Sequence, residues 1–184
     1  MAKRRENVEQ TRRRIAQATY ELHATIGPAQ ATITRISERS GLPRQTIYRN
    51  FPGTLELFQG CIAHGLEHHP LPDPGPWSTV NDPAQRLQRG LTDLYGWFAE
   101  QEAVLTNSFR DYGLFPEAAT AMQPIAEYFG RVHGVLMAGW RSPAGAAIVG
   151  LAIDFSVWRK LRQELGMQTS EIVTFWTGLA GCVS

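Results

Sequence analysis

Apolar residues recur every three to four positions through most of this chain, and no segment shows sustained alternation of period two. That spacing gathers apolar side chains on one face of an α-helix, so the pattern predicts an all-helical protein. Glycine and proline interrupt the pattern where helices are expected to end. In the first half of the chain, helices are predicted over residues 8–26, in two short segments within 32–51, and over 54–68 and 82–109. In the second half, a short helix is predicted from residue 116, a longer one from 124, one over 142–165 and a last one from 169.

One segment is incompatible with a helix. Four prolines lie within residues 70–76, and each lacks the backbone N–H that a helix interior needs. This is the clearest boundary in the chain. We therefore expect an N-terminal domain over residues 1–53, a connecting helix and linker over 54–76, and a helical domain over 77–184.

The most specific local pattern lies in residues 32–51, which predict two short helices joined by a tight turn. Thr32 is expected to cap the first helix, and Gly41 can adopt the left-handed backbone that ends it. Pro43 suits the first turn of the second helix, whose inward residue is Ile47. The outer face of that helix holds Arg44, Gln45, Thr46, Tyr48 and Arg49. Such a surface is typical of a helix-turn-helix that reads DNA.

These residues resemble the tetracycline-repressor (TetR) family of bacterial transcription regulators, over about the first third of the chain. The matching positions are Arg14-Ile15, Ala18 to Leu22, Gly27, Ile33-Thr34-Arg35-Ile36, Gly41-Leu42, Ile47-Tyr48-Arg49-Asn50-Phe51 and Leu57-Phe58. The chain departs from the family pattern at Ser37, Asn50 and Gly53-Thr54. The last departure removes a phosphate-binding lysine, so a contact there would use backbone N–H groups or the Thr54 hydroxyl.

The resemblance implies an N-terminal three-helix DNA-binding domain followed by a helical ligand-binding and dimerisation domain. It implies a homodimer, formed through the last two helices, that binds a pseudo-palindromic double-stranded operator as a repressor. A small apolar or aromatic effector would release it, with the fourth helix transmitting the change. An activator, or a regulator without an effector, is the alternative of the same fold. A helical ligand-binding module that does not bind DNA is the alternative of another class.

Charge is divided unevenly along the chain. Residues 1–50 hold ten Lys/Arg and four Asp/Glu, a net charge of +6, whereas residues 51–184 hold eight and thirteen, a net charge of −5. A basic N-terminal part points to a polyanionic partner, although a solvated basic face would have the same composition. Its coincidence with the helix-turn-helix favours DNA.

The predicted DNA contacts divide into base readers and phosphate binders. Arg44 can donate two hydrogen bonds to guanine, Gln45 can pair with adenine, and Thr46 can touch a thymine methyl group or a phosphate. Tyr48 is expected to hold a phosphate, as the resemblance implies. The full predicted set is Thr32, Thr34, Arg35, Arg44, Gln45, Thr46, Tyr48, Arg49 and Asn50. At least one further phosphate contact is expected among Arg12, Arg13 and Arg14 and a flexible arm of Lys3, Arg4 and Arg5, with a disordered arm that contacts nothing as the alternative.

The C-terminal part is rich in aromatic residues. An ordinary core explains most of them, but together they suit a pocket for a flat or apolar ligand. The predicted lining is Trp97, Phe98, Phe109, Tyr112, Phe129, His133, Phe155 and Trp158. The two last helices carry small or apolar residues expected at the dimer interface, with a purely intramolecular core as the alternative: Ala144, Gly145, Ala147, Gly150, Ala152, Phe175, Trp176 and Leu179.

Other chemistry has weak support. Cys61, His64 and His68 share a helix face that could hold zinc or copper, but exposed histidines beside a buried thiol are the better reading, and no metal or other cofactor is predicted. No phosphate-binding loop, nucleophile elbow or HExxH pair is present, so no enzyme is expected. With two cysteines, a charged N-terminus and no membrane span, the sequence predicts a soluble cytoplasmic protein.

Overall fold

The computed structural model describes residues 1–182, and of residue 2 only the backbone. Within this range the chain forms eleven α-helices and no strand, which confirms the all-helical prediction. They are α1 (Ala2–Thr25), α2 (Ile33–Ser40), α3 (Arg44–Asn50), α4 (Thr54–His68), α5 (Gly75–Ser78), α6 (Pro83–Glu100), α7 (Glu102–Asp111), α8 (Ala118–Met137), α9 (Pro143–Ala152), α10 (Phe155–Gln163) and α11 (Thr169–Gly181). Val183, predicted for the apolar stripe of α11, lies outside the described residues.

Two compact units divide the chain, and they differ from the predicted domains. The head unit comprises Met1–Pro70 and Gln101–Pro124, and the body unit comprises Leu71–Glu100 and Ile125–Ser184. The sequence placed all of residues 77–184 in one C-terminal domain. Residues 101–124 belong to the head unit because α7 hydrogen-bonds to the end of α1 and because the start of α8 packs on α4.

The head unit has two apolar clusters. In the first, α1, α2 and α3 converge on a core formed by Ile15, Ala16, Ala18, Ile36, Ile47 and Phe51. In the second, Phe58 of α4 packs against Ala118 and Ala121 at the start of α8. The rings of Tyr112 and Phe115 lie 5.5 and 5.1 Å from the Phe58 ring, between centroids. The helix-turn-helix is thus built on a core that continues into α4.

A core of aromatic and aliphatic side chains holds the body unit together. Its fully buried members include Trp77, Leu87, Leu91, Leu94, Tyr95, Phe98, Leu136, Trp158 and Ile172. The hydroxyl of Tyr95 donates to the Ala152 carbonyl at 2.8 Å, which ties α6 to α9. No helix among the described residues combines the length and the apolarity needed to cross a bilayer.

Two predicted long helices are each broken in the structure. The helix expected over 82–109 is interrupted at Gln101, which is buried and whose side-chain oxygen accepts a 2.5 Å hydrogen bond from the Tyr20 hydroxyl. The helix expected over 142–165 ends at Ala152, and Asp154 caps a new helix by accepting from two backbone N–H groups. The Asp154 cap bonds backbone N–H groups that an uninterrupted helix would pair internally, whereas Gln101 makes no such cap.

Three helix boundaries differ from the predictions, two of them at prolines. Pro124 lies inside α8 rather than at its start, because Ala118 and Ala121 before it pack on Phe58 and keep the first turns helical. Within the proline-rich linker, the single turn of α5 begins at Gly75 and buries Trp77. At the other end of the chain α1 already begins at Ala2, so the predicted arm of Lys3, Arg4 and Arg5 is helical.

Candidate functional site

The turn between α2 and α3 follows the predicted capping pattern. The Thr32 hydroxyl accepts a 3.4 Å hydrogen bond from the Arg35 backbone N–H, and Gly41 ends α2 at φ 64°, ψ 27°. The Ser37 hydroxyl donates to the Leu42 carbonyl at 2.7 Å and closes the turn from the side. Pro43 occupies the N-cap of α3, one position before the first-turn site predicted for it. These contacts determine the angle at which α3 leaves α2.

The recognition helix α3 has one buried and one exposed face. Ile47 has no exposed surface and anchors the helix in the core of the head unit. Arg44, Gln45, Tyr48 and Arg49 are exposed, with 55% of Tyr48 accessible. These side chains carry guanidinium, amide and phenol groups, which match the donors and acceptors of base edges and phosphates. Thr46 is half-buried.

Asn50 does not share this exposed face, in contrast to its prediction as a DNA contact. The residue is 9% exposed, and its side-chain amide donates to the Thr46 carbonyl at 2.8 Å, one turn back on α3. Its own carbonyl accepts a hydrogen bond from Arg12. Asn50 therefore closes the C-terminus of the recognition helix, and its amide is committed within the protein.

Arg12 was expected to bind a phosphate, but the structure gives it a different partner. Its guanidinium donates to the Asn50 carbonyl and lies over the Phe51 ring, 4.4 Å from the ring centroid. The i,i+4 spacing on α1 could not reveal this contact, because the two partners are 38 residues apart in sequence. Arg12 is the residue near the recognition helix whose structural role the sequence missed.

The other residues of the head unit predicted to contact DNA are at least partly exposed. The Arg35 guanidinium donates to the carbonyl and the side-chain oxygen of Gln30, both at 3.3 Å, and Thr34 is half-buried. Arg13 forms ion pairs with Glu9 at 3.5 Å and Glu67 at 4.0 Å. Exposed pairs of this kind contribute less than about 1 kcal/mol, so these cations remain competent to bind a phosphate.

Polar side chains of α7 fasten this helix to the end of α1. The Asn107 amide donates to the carbonyls of His23 and Ala24 at 3.0 and 2.9 Å, and Arg110 donates to the Ile26 carbonyl at 3.1 Å. Asp111, 4% exposed, accepts from the Ala29 N–H at 3.0 Å. The bonds from Asn107 and Arg110 satisfy carbonyls that a helix leaves unpaired at its C-terminus.

An ion pair completes this contact. The Arg110 side chain donates to the Asp111 carboxylate at 2.6 Å. The hydrogen bond from Arg110 is the main reason that the pKa of Asp111 lies below its usual value. The charged carboxylate is therefore the form that accepts the backbone N–H at the start of the segment after α1.

A buried thiol–imidazole pair joins α1 to α4. The Cys61 sulfur and His23 Nδ1 are 3.4 Å apart, and both side chains are at most 3% exposed. Burial raises the pKa of Cys61 to about 12 and lowers the pKa of His23 to about 4, so both groups are neutral at pH 7. The pair is a neutral hydrogen bond in an apolar environment, flanked by the Phe58 ring at 5.7 Å from the imidazole.

This pairing contradicts a metal site on α4. Cys61 is directed to His23, while the His64 and His68 rings lie against each other in a tilted arrangement, 4.2 Å apart between centroids. Within residues 1–182 no group of three or more His, Cys, Asp and Glu side chains is arranged to hold a metal ion. On this face of α4, Cys61 is thus a buried thiol, and His64 and His68 are two histidines that are more exposed than Cys61.

The buried His23 makes the stability of the protein depend on pH. Its folded-state pKa of about 4 lies below the ordinary value of 6.5, so the unfolded chain binds more protons between these values. Stability from this group is complete above pH 6.5 and is lost as the pH falls towards 4. We expect the free energy of unfolding to drop by about 2 kcal/mol from pH 7 to pH 5.

Urea unfolding at the two pH values measures this effect, with His23→Gln as the matched control. His64, whose pKa is also lowered by burial, acts in the same direction and is present in both proteins. The difference between wild type and variant therefore isolates His23. An identical loss of stability in His23→Gln would show that His23 is not the group responsible.

The predicted effector-lining residues are divided between the two units. Phe109 and Tyr112 belong to the head unit, and Phe109 is 56% exposed. The other six belong to the body unit, where Phe98, Phe155 and Trp158 are buried with ring centroids 5.4 to 5.7 Å apart. Trp97 and Phe129 flank Phe98, and His133 Nε2 lies 3.5 Å from the Ala146 carbonyl. The central three rings therefore pack as an ordinary core.

The residues predicted for the dimer interface also separate into two faces. Gly145 and Ala152 of α9 and Trp176 of α11 are buried within the body unit, in contrast to the prediction. Exposed apolar side chains remain on the other faces of the same two helices. They are Ala144, Ala147 and Leu151 on α9, and Phe175 and Leu179 on α11.

Comparison with known proteins identifies the family. The family model described as bacterial regulatory proteins, tetR family, matches residues 15–61, which extend from α1 into α4. The chain is 36% identical to the HTH-type transcriptional regulator SrpR of Pseudomonas putida, over 84% of this chain and 87% of that protein. The chain belongs to the tetR family. It is a transcriptional regulator with a DNA-binding helix-turn-helix domain, and it is not an enzyme.

Solved structures agree with the tetR-family fold over almost the whole chain. A TetR-like transcriptional regulator from Rhodococcus sp. RHA1 is similar with a TM-score of 0.66 and 15% identity, covering 95% of this chain and 93% of that one. The multidrug binding protein EbrR complexed with imidazole is similar with a TM-score of 0.57 and 19% identity, covering 92% and 89%. At these identities the likeness concerns the fold alone.

Proposed function

We propose that this tetR-family protein is a homodimeric repressor that reads a pseudo-palindromic operator through α3 and is released by a small apolar or aromatic effector. DNA binding in this proposal is supported mainly by the exposed face of α3. Four hydrogen-bonding side chains project from this face, while buried Ile47 anchors the helix on the other. The net charge of +6 over residues 1–50 supplies attraction to phosphates. A bacterial regulator of this kind acts on DNA in the cytoplasm.

Within α3 we assign different roles to its two ends. Arg44 and Gln45 lie in the first turn, which in helix-turn-helix proteins contacts base edges, and we assign them to guanine and adenine. Tyr48 and Arg49 lie in the last turn and are assigned to phosphates, with Thr46 beside a thymine methyl group or a phosphate. At the start of α2, Thr32, Thr34 and Arg35 are the further candidates for backbone contact.

The apolar faces of α9 and α11 support the dimer. Leu151 is 52% exposed, Phe175 45% and Leu179 39%, so two neighbouring helices present three large apolar side chains to solvent. A second copy of the chain would cover them and form a bundle of four helices. Dimerisation also gives two recognition helices, which a specific operator needs because one short helix contacts few bases.

The effector part of the proposal is supported by composition and by a relative in fold. The body unit holds a cluster of aromatic rings around Phe98, and EbrR, similar in fold, is described as a multidrug binding protein. To reverse operator occupancy from 99:1 to 1:99, an effector needs about 5.5 kcal/mol of differential affinity for the two states. The chain passes directly from α6 of the body unit into α7 of the head unit at Gln101, and we propose this junction, together with α4, as the route of the signal.

Sequence selection from a random pool of duplexes tests the DNA proposal. We expect enrichment of two related half-sites about 34 Å apart, one helical turn, because a two-fold dimer presents two copies of α3. Binding to the selected duplex should weaken steeply with salt, since neutralised phosphates release counterions. Equal affinity for selected and scrambled duplexes would favour the helical module that does not bind DNA.

Substitution of Arg44 tests the assignment of base contacts. Arg44→Ala should weaken binding to the selected duplex by about 1–3 kcal/mol and relax the preference at one base pair of each half-site. Arg49→Ala is the matched control, because loss of a phosphate contact weakens all sequences about equally. Competition titrations with duplexes changed at single positions measure both effects. An unchanged base preference in Arg44→Ala would refute the assignment.

The effector and the sign of regulation need separate experiments. Release of the selected duplex by a panel of aromatic and lipophilic compounds would support effector control, and no release by any compound would favour the regulator without an effector. Transcription from a promoter that carries the selected site should fall when the protein is present. A rise in transcription would identify an activator.

A further inference from the structure

The recognition helix is too short to hold its own position. With seven residues, α3 makes about two turns, and isolated helices of this length are unstable in water. Its orientation must therefore come from contacts with the rest of the head unit. Reading base edges requires side chains held within about 0.5 Å of their working positions, so the contacts that orient α3 bear directly on specificity.

Few contacts are available for this purpose. Ile47 anchors the middle of α3 in the core, whereas no side chain caps its N-terminus at Pro43. At the C-terminus, the Asn50 carbonyl receives the Arg12 guanidinium from α1. The turn from α2 determines where α3 begins, and the Arg12 contact restrains its C-terminal end against rotation about Ile47.

The Arg12 contact extends beyond a single hydrogen bond. The guanidinium lies 4.4 Å from the centroid of the Phe51 ring, and that ring lies against the backbone of Gly60 on α4. A positive charge at the C-terminus of a helix is also favoured by the helix dipole. A planar guanidinium offers a flat face to the ring and N–H donors at its edge, whereas an ammonium group has no such face.

We propose that Arg12 is a positioning residue for DNA recognition, which holds α3 at its reading angle by joining α1, the end of α3 and the Phe51 ring. The inference rests on the proposed reading of bases by α3. It separates Arg12 from its neighbour Arg13, whose exposed side chain remains suited to a phosphate. A positioning residue affects only sequence-specific binding, whereas a phosphate contact affects binding to every duplex.

Two duplexes and three variants distinguish these roles. Affinities are measured from low to moderate salt for the selected duplex and for a scrambled duplex of the same length, with Arg12→Lys, Arg12→Gln and, as control, Arg13→Gln. We expect both Arg12 variants to bind the selected duplex about 10- to 100-fold more weakly, with scrambled binding within about twofold of wild type. The slope of log affinity against log salt should stay close to the wild-type slope in Arg12→Lys. Arg13→Gln should weaken both duplexes together and flatten the slope by about 0.9 per phosphate contact and subunit.

A further variant keeps the test independent of charge. Phe51→Leu preserves an apolar side chain but removes the ring beneath the guanidinium, and it should also lower the ratio of selected to scrambled affinity. The inference is overturned if Arg12→Lys binds both duplexes like wild type. It is also overturned if the Arg12 variants lose affinity for both duplexes in parallel, which a phosphate contact or a loss of folded protein would cause. A wild-type protein without preference for the selected duplex would instead refute the proposed function, and the inference with it.

Discussion

Replacing Gly27 with alanine should destabilise the head unit by about 3 kcal/mol. Gly27 has φ 88° and ψ 161°, a conformation open almost only to glycine, and strain of this kind costs on the order of 1–3 kcal/mol. A Cβ at this position would also overlap the guanidinium of Arg110 and the carboxylate of Asp111. The substitution must therefore displace the ion pair that joins α7 to the end of α1, which adds the loss of buried hydrogen bonds.

Urea unfolding measures this loss, and Gly113→Ala is the control within the same unit. Gly113 lies in the 3-10 turn after α7, without a positive φ, and no heavy atom outside its neighbours lies within 4 Å of an added Cβ. Its replacement should change stability by less than about 1 kcal/mol. If Gly27→Ala were as stable as Gly113→Ala, the contact between α7 and α1 would not be a tight one.

Replacing Trp158 with alanine should destabilise the body unit by about 3–5 kcal/mol, the range for removing a buried tryptophan from a packed core. Trp158 has no exposed surface and packs against Phe98, Phe155 and Tyr95, with ring centroids 5.6 to 6.2 Å apart. The alternative, in which Trp158 lines an open effector cavity, predicts a much smaller loss because neighbouring side chains already face empty space.

Trp158→Phe separates packing from polar effects. The indole N–H of Trp158 is buried without a hydrogen-bond partner among the described residues, so phenylalanine at this position loses no hydrogen bond. We expect it to cost about 1 kcal/mol, mainly from the smaller ring. Thermal unfolding of the two variants gives the comparison. A loss below about 1 kcal/mol for Trp158→Ala would favour the cavity and restore Trp158 as an effector-lining residue.

Polar residues account for the main differences between the sequence-based predictions and the structure. Gln101 and Asp154 break two predicted helices, and Asn50 turns away from the reading surface. Periodicity reports only where apolar side chains recur, so it gives the same stripe whether a helix is continuous or restarts after a capped break. In the same way, helical spacing on α4 grouped Cys61 with His64 and His68, although the partner of Cys61 comes from α1.

The sequence by itself determined the helical class, the helix-turn-helix within residues 32–51 and the exposed face of α3. Each follows from features a few residues apart, namely the apolar periodicity, the Thr32 cap and the glycine at position 41. Only the tertiary structure decided that residues 101–124 join the head unit, that Arg12 holds the end of α3 and that His23 pairs with Cys61. These contacts link residues 38 to 84 positions apart, and no local propensity specifies which buried polar groups will meet. Which groups meet is decided in the packed interior, where buried polar groups must find hydrogen-bond partners.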